Sequence, residues 1–380
     1  MPRDDHGLAP LYLALREEAQ GLCDSVAAFV DEAEESSEFD VRLQDAFRKS
    51  GLADLLVRGR DGGRFEEIDP LAICVVREVL MESSAQLDAL FSLQGIGSYA
   101  LGLAGTDGQR ARWLPGVASG ELLPAMALTE PGVGSDLKAI TTAVATDGDD
   151  LVLTGTKSFI SDASVASFFT VLAREGDGHS LVLVPAGSPG LTVEVGPELI
   201  AAHCIGDVHF DGVRVPAAEG RLGGAGEGFA LVLATLTVFR ASVAGAAVGL
   251  AQAALTEAVR HTRSREAFGR PLARHGPVAT LLADSAMEVE MARLLAYRAA
   301  GKAREGAEGS LDYSSMAKVA ATEAAGRVVD RCVQVMGRFG LVRGSRIERL
   351  YRQARPMRIY EGATEVLRLG IARSLTEQID

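Results

Sequence analysis

Leu128-Thr-Glu-Pro-Gly-Val-Gly-Ser-Asp136 lies where one hydrophobic rhythm of the chain gives way to another, and that change decides the fold. Before it, from about Leu11 to Gly120, apolar residues return at the spacing of a helix face, as Leu22, Val26, Phe29 and Val30 do. Gly51, Gly95 and Gly105 are the expected helix ends. After it, from about Leu122 to Leu222, come short runs rich in Val, Thr and Phe, punctuated by Asp147-Gly148, Gly176-Asp177-Gly178 and Asp211-Gly212. Leu151-Val-Leu-Thr154 follows one such expected turn, and Val208, Phe210, Val213 and Val215 flank another, so an antiparallel β domain built from hairpins is predicted.

From Gly226 onward helices return, long and rich in alanine. Pro277 suits a first helical turn, and Val278, Leu282, Ala286, Val289, Ala292, Ala296 and Ala299 then form one stripe. Small residues let helices pack closely, which predicts a tight bundle able to support oligomer contacts. Leu222-Gly-Gly-Ala-Gly-Glu-Gly228 reads as the linker. The expected division is therefore 1–120 helical, 121–224 β and 225–380 helical bundle.

Bulk properties narrow the function. A chain of 380 residues that is 47% hydrophobic can bury a large core, and about 150 residues per domain predicts two or three domains. No apolar run approaches the ~20 residues that span a bilayer, and the start Met1-Pro-Arg-Asp-Asp-His is polar, so no membrane segment and a cytoplasmic location are expected. A net charge of −13 argues against nucleic acid as a partner, since a basic face is needed to displace phosphate counterions. Cys23, Cys74, Cys204 and Cys332 are far apart, with no CxxC pair, and read as buried thiols. The six histidines lack HxH or HxxxH spacing, so no metal site is expected.

Three segments can carry chemistry. In Leu128–Asp136 two glycines let a ligand approach the backbone, while Thr129 and Ser135 offer hydroxyls; taken alone, it reads more readily as a Pro-Gly turn. In Ile359-Tyr-Glu-Gly-Ala-Thr-Glu365 a glutamate beside a glycine can project into a cleft where burial raises its pKa; by itself it reads more readily as an exposed loop acid before a helix capped by Thr364. In Arg265-Glu-Ala-Phe-Gly-Arg-Pro-Leu272 an arginine can clamp a pyrophosphate and a Phe can cover an adenine; the plainer reading is a helix–helix turn. Arg240 on the preceding helical stretch reads, alone, as a surface charge.

The ordered set resembles the acyl-CoA dehydrogenase family. Gly120-Glu121, the Leu128–Asp136 segment, Gly155-Thr-Lys157, Phe210-Asp-Gly-Val-Arg-Val-Pro216, Gly226-Glu-Gly-Phe229, Arg265–Leu272 and Ile359-Tyr-Glu-Gly362 follow the family's order across residues 15 to 375. The resemblance implies an N-terminal helical domain, a middle antiparallel β-barrel-like domain and a C-terminal four-helix bundle, with FAD between the last two. Met126, Leu128, Thr129 and Gly134 would meet the flavin side. Ser135 would lie near phosphate or the pantetheine arm of the thioester. Phe159-Ile160-Ser161 stands where the family has Trp-Ile-Thr, so Phe159 would cover the ring and Ser161 would donate to its N5 edge. Arg265, Phe268 and His275 resemble the part that reaches the FAD of a neighbouring subunit, with Gln334 and Gly337 on the adenine side. That likeness implies at least a homodimer, with a homotetramer the commonest state.

By the same likeness Glu361 removes the α-proton of an acyl thioester, its backbone amide binds the thioester oxygen, and the β-hydrogen leaves as hydride to flavin N5. Some relatives carry the base on the long helix at the position of Phe239, which cannot serve. Phe239, Arg240, Tyr360 and Gly362 would contact the substrate, and an electron-transfer flavoprotein would take the electrons. Four positions depart from the family: Ala363 for Thr, with Thr364 the expected compensation, Gly276 for Gln, Arg338 for a second Gly, and Thr237 for an acid. They cluster around the adenine side and the carrier channel. An acyl-carrier protein or a small biosynthetic acyl-CoA is therefore expected alongside plain fatty-acid oxidation, and Phe91, Phe239 and Met126 lining the cavity would favour a compact acyl chain. The competing readings are an oxidase or flavin monooxygenase on the same fold, the latter generally lacking the glutamate, and a non-catalytic binding protein.

Overall fold

The computed structural model describes residues 6–377; the polar start up to Asp5 lies outside them. Among the described residues six α-helices precede the first strand: α1 (Pro10–Val26), α2 (Val30–Ala33), α3 (Val41–Ser50), α4 (Pro70–Ser83), α5 (Ala85–Ala104) and α6 (Asp107–Ala118). The β region runs from β1 (Pro124–Ala127) through β2 (Ala143–Asp147), β3 (Asp150–Ser161), β4 (Phe168–Glu175), β5 (Gly178–Pro185), β6 (Leu191–Val195) and β7 (Ile205–Pro216) to the short α7 (Ala217–Gly220) and β8 (Arg221–Leu222). Then follow α8 (Gly228–Ser264), the two-residue strands β9 (Glu266–Ala267) and β10 (Arg270–Pro271), α9 (Gly276–Arg304), α10 (Ser310–Met336), α11 (Arg346–Met357) and α12 (Thr364–Glu377). The helical, β and helical character expected from the two hydrophobic periods is what the chain adopts.

By their contacts these elements form two compact units that cut across chain order. One gathers the chain up to Ala27, Pro70–Asp88 and the residues from Thr237 onward; the other holds Ala28–Asp69 and Ala89–Leu236.

In the second unit the sheet order is β6-β7-β3-β2-β4-β5-β8, with β1 added beside β4. The strand Phe168-Phe-Thr-Val-Leu-Ala173 is buried throughout and apolar but for Thr170, whose hydroxyl donates to Gly97 O at 2.8 Å, because both of its faces are covered. Phe169 and Val171 point into the strand-lined core with Leu153, Val184 and Phe210, whereas Phe168 and Leu172 pack with Leu101, Leu114 and Val117 from α5 and α6. Asp147-Gly148 and Gly176-Asp177 make the expected tight hairpins.

Three details differ from expectation. The sheet is mixed, since β1 and β2 both pair with β4 in parallel. Asp211-Gly212 is not a turn but lies inside β7, where Leu153 faces Val213 and Gly155 faces Phe210. One extra residue on β7 is absorbed there as a bulge, with Gly212 at φ 61°. Gly95 lies within α5 rather than at its end; the glycine that matters nearby is Gly97, where a Cβ would come within 2.8 Å of the Pro124 backbone. Gly51 does cap α3 in the left-handed conformation.

The first unit is helical. Here α9 packs on α10, and α10 on α11 and α12, while α4 lies against α1 and α9. α8 passes α4 so closely that a Cβ at Gly245 would come within 2.4 Å of Cys74 O, and one at Gly249 within 2.1 Å of Glu78 O. α8 is also long and apolar enough to cross a membrane, contrary to the expectation from apolar runs, yet most of its apolar window is buried in protein as a core helix is. All four cysteines are buried and free.

One ionic cluster ties α1, α4 and α9 together. Glu78 accepts from Tyr297 Oη at 2.6 Å and from Arg293 Nε at 3.2 Å, with an Arg16 nitrogen 3.5 Å away. Breaking a buried ion pair from one side costs about 3–5 kcal/mol because the other charge stays buried. Glu78→Ala is therefore expected to lower the calorimetric midpoint by several degrees, with Glu78→Gln intermediate because it keeps an acceptor.

Candidate functional site

Glu361 sits in the break between α11 and α12, in the left-handed conformation at φ 51°. A non-glycine residue takes that conformation only when its surroundings impose it. Two cations do so by gripping consecutive carbonyls: Arg240 Nε donates to Glu361 O at 2.7 Å, and Lys318 Nζ donates to Gly362 O at 2.7 Å. Gly362 has φ 108°, and a Cβ there would meet Leu367 at 2.8 Å and the Arg240 guanidinium at 3.2 Å. Thr364 N then donates to Arg358 O at 3.1 Å and closes the loop.

The residue keeps some exposed surface, but the carboxylate Oε2 is buried with no hydrogen-bond partner among the described residues. Burial pushes the Glu361 pKa above the usual carboxylate range, although Arg77, Arg240 and Lys318 all pull it down and Asp88 adds to the rise. Arg77 contributes less than a free cation would, because it is committed to Asp88 through two bonds of 2.8 Å and to Ser242 Oγ at 2.9 Å. Lys318 is itself wholly buried, and burial pushes its pKa down to about 8 against the opposing pull of Glu361. Burial likewise lowers the pKa of Arg240 and raises that of Tyr360, which senses Arg77, Asp88 and Glu361. Unpaired buried acids of raised pKa cluster at functional sites.

A second group lies in the β unit. Along β1, Ala125 and Ala127 point into the core while Met126, like the following Leu128, stays half-buried on the other face. The chain then turns through Gly134 and Ser135, both exposed. Its start is anchored by a buried pair: Lys157 Nζ donates to Leu128 O at 2.8 Å and to Glu130 Oε1 at 3.0 Å, and Ser158 N donates to Thr129 O at 2.8 Å. Burial opposes the charge on Glu130, yet donors from Thr141 and Thr142 hold its pKa down at about 2, while burial brings Lys157 to about 8. Both partners are thus ionised near neutral pH.

Beside this anchor β3 carries a bulge. Lys157 faces Val208 and Ile160 faces Gly206, so one residue of β3 is extra, and Phe159 takes it up at φ 58° with 55% of its surface exposed. A bulky aromatic held left-handed and open, next to the hydroxyl of Ser161 and the backbone of Leu128–Thr129, suits a flat heteroaromatic ring such as flavin, so the residues fit that group. Ile160 is in the core of the strands and can offer a ligand its backbone alone.

The segment Arg265–His275 forms a small hairpin from β9 and β10, closed by Leu272 N donating to Arg265 O at 2.8 Å. Phe268 at its tip is 96% exposed at φ 50°, and His275 Nε2 lies 2.9 Å from Ala267 O, its ring edge-on to Phe268. Arg265 also lies over the Phe339 ring, which follows Gly337 at the end of α10. Gln334 and Gly337 are exposed there.

Some expectations need correcting. Phe239 is fully enclosed in the core and Phe91 packs edge-on against Phe47, so of the three residues expected to line an acyl cavity only Met126 keeps open surface. Thr364 does not stand open as a substitute for the missing threonine at position 363; it is buried and its hydroxyl turns to Arg358 O. The residues missed are Arg77, Asp88 and Lys318 around the carboxylate, and Glu130 and Lys157 under the Leu128 turn. Arg77, inside Ala72-Ile-Cys-Val-Val-Arg-Glu-Val-Leu80, carried the available signal: a charge within an apolar run must find a buried partner.

The chain is similar to known proteins along most of its length. Residues 12–121, 125–213 and 226–376 match the sequence profiles of the acyl-CoA dehydrogenase N-terminal, middle and C-terminal domains. The chain is 32% identical over 370 residues to cyclohexane-1-carbonyl-CoA dehydrogenase of Geobacter metallireducens, covering 96% of each. It is 36% identical over 318 residues to the mitochondrial short-chain specific acyl-CoA dehydrogenase of Rattus norvegicus, covering 81% of this chain and 76% of that one. Butyryl-CoA dehydrogenase from Megasphaera elsdenii superposes with a TM-score of 0.93 at 29% identity, covering 97% of this chain and 99% of that one. On this ground the chain belongs to the acyl-CoA dehydrogenase family, FAD-dependent oxidoreductases that act on CH–CH bonds.

Proposed function

We propose that this protein binds FAD and introduces an α,β double bond into an acyl thioester, with Glu361 as the base. The observation that carries the reading is the buried, unpartnered Oε2 of Glu361. A carbonyl acidifies the neighbouring C–H, but a carboxylate in water is too weak to exploit it; a desolvated one is a stronger base. Glu361 takes the α-proton onto its carboxylate. Its backbone N–H, which donates to no group among the described residues, is available to the thioester oxygen as enolate-like charge grows. Arg240 and Lys318 hold the peptide that carries both functions. FAD held beside Phe159 and Ser161 would supply the two-electron acceptor for the β-hydrogen, which leaves as hydride. Met126, Leu128, Thr129, Gly134, Ser135, Phe159 and Ser161 are the proposed flavin and pantetheine contacts.

The reading extends to a compact acyl group, supported by relatives named for cyclic and short-chain acyl-CoA, with an acyl-carrier protein as the other possible carrier and an electron-transfer flavoprotein as acceptor. It also includes the division at 1–120, 121–224 and 225–380, a cytoplasmic location, and assembly as a homodimer or homotetramer. The exposed, strained Phe268 supports assembly, since an aromatic at 96% exposure lacks cover within its own chain.

Anaerobic mixing with a panel of acyl-CoAs and acyl-carrier proteins identifies the substrate by which one bleaches the flavin; bleaching by none contradicts the reading. Glu361→Gln should keep FAD and thioester binding but slow flavin reduction by on the order of 10² to 10⁴, the contribution of positioned proton transfer. Rapid-reaction spectrophotometry across pH gives a second check. The ionised carboxylate is the active form, so reduction falls as pH drops through its pKa, and burial places that limb above 4.5. Lys318→Met removes a cation that lowers this pKa, so its limb moves to higher pH. Arg265→Ala and Phe268→Ala should each weaken FAD retention on the order of tenfold and reduce the assembly size in sedimentation.

A further inference from the structure

Ser161 ends β3 and faces Ile205 of β7, and two residues before Ile205 the ring of His203 brings Nε2 to 2.8 Å from Ser161 Oγ. The backbone on both sides is strapped. Asp162 N donates to Cys204 O at 2.9 Å with Asp162 held at φ 54°, and Ser164 Oγ lies 3.6 Å from Cys204 Sγ. These ties leave the two side chains little freedom to part.

His203 is half-buried, and burial pushes its pKa down to about 4. Burial is the whole cause of that shift, with no carboxylate opposing it, and the adjacent Asp162 carboxyl is itself pushed up to about 7 by burial. Near neutral pH the ring therefore carries one N–H, on Nε2 or on Nδ1. A serine hydroxyl has one hydrogen to give. If Nε2 accepted it, Ser161 would have none for a ligand; if Nε2–H donates to Oγ, that hydrogen turns elsewhere.

We propose that His203 is the positioning residue for Ser161: its Nε2–H donates to Ser161 Oγ and turns the one hydroxyl hydrogen toward the edge of the flavin. The inference rests on the reading that Ser161 contacts flavin. It assigns a role to a residue no sequence motif singled out, and it makes the serine a donor of fixed direction rather than a free rotor.

The test uses the FAD-loaded protein with Ser161→Ala, His203→Leu, the double variant and His203→Gln, whose amide can restore an N–H donor. The readouts are the midpoint potential and visible spectrum of the flavin without substrate, with FAD stoichiometry as the check on folding. His203→Phe, closer in shape to the ring, repeats the measurement should His203→Leu fail to hold FAD. Ser161→Ala and His203→Leu should each change the relative affinity for oxidised and reduced flavin about tenfold, or about 30 mV for a two-electron couple. The double variant should change it no further, because both remove one shared interaction, and His203→Gln should recover the wild-type value. A shift with Ser161→Ala and none with His203→Leu, or effects that add, overturns the role of His203 while leaving the flavin contact standing. No shift with Ser161→Ala overturns the flavin contact itself, and this inference with it.

Discussion

A carboxylate kept out of water at position 361 is the constraint on which the helical unit depends. Ionising it there is costly, and the pull of Arg77, Arg240 and Lys318 does not cancel that cost. The cations are nevertheless essential to the arrangement, because Arg240 and Lys318 spend their hydrogen bonds on backbone carbonyls rather than on the acid. A direct salt bridge would have lowered the pKa and occupied the oxygens. Holding the peptide while leaving Oε2 unpartnered keeps the acid basic and the loop in a conformation it would not choose alone. The Arg77–Asp88 pair sits in the same surroundings as an internally neutral body, and its fork to Ser242 ties α4 to α8.

The β unit solves a similar problem with different parts. Phe159 is exposed because an extra residue in β3 lifts it out of the pleat, and the fully buried Lys157 beneath it pins the turn that starts at Leu128. The bulge and the ion pair together fix an aromatic surface beside a glycine-bearing loop. Three of the non-glycine residues at positive φ, Phe159, Phe268 and Glu361, belong to segments that sequence reading had singled out for chemistry. Backbone strain of this kind persists only where surrounding structure enforces it.

The switch from helical to strand period around Leu128 was legible in the sequence, as were two tight hairpins and Pro277 at the start of α9, because each rests on local pattern. The third supposed turn, Asp211-Gly212, was not, since a glycine that relieves a bulge looks the same along the chain as one that turns a hairpin. Gly95 misled for a related reason: a glycine within a helix looks the same along the chain as one at its end, and in α5 it is Gly97 whose missing Cβ answers to a neighbouring backbone, that of Pro124. At the site, Glu361 stood out through its neighbour Gly362, whereas Arg77, Asp88 and Lys318 belong to three separate helices whose meeting no local pattern announces. Neither the residue type of Phe91 nor the matched position of Phe239 reveals depth in the fold, and packing places both in the core.

The central claim is that the Glu361 carboxyl titrates above an ordinary carboxylate while buried in the folded protein. Infrared difference titration of the FAD-loaded wild type against Glu361→Gln reads this directly through the C=O stretch of the protonated acid. A band unique to the wild type that persists above pH 4.5 is the predicted result. Loss of that band at or below the ordinary glutamate value of about 4.3 would contradict the account.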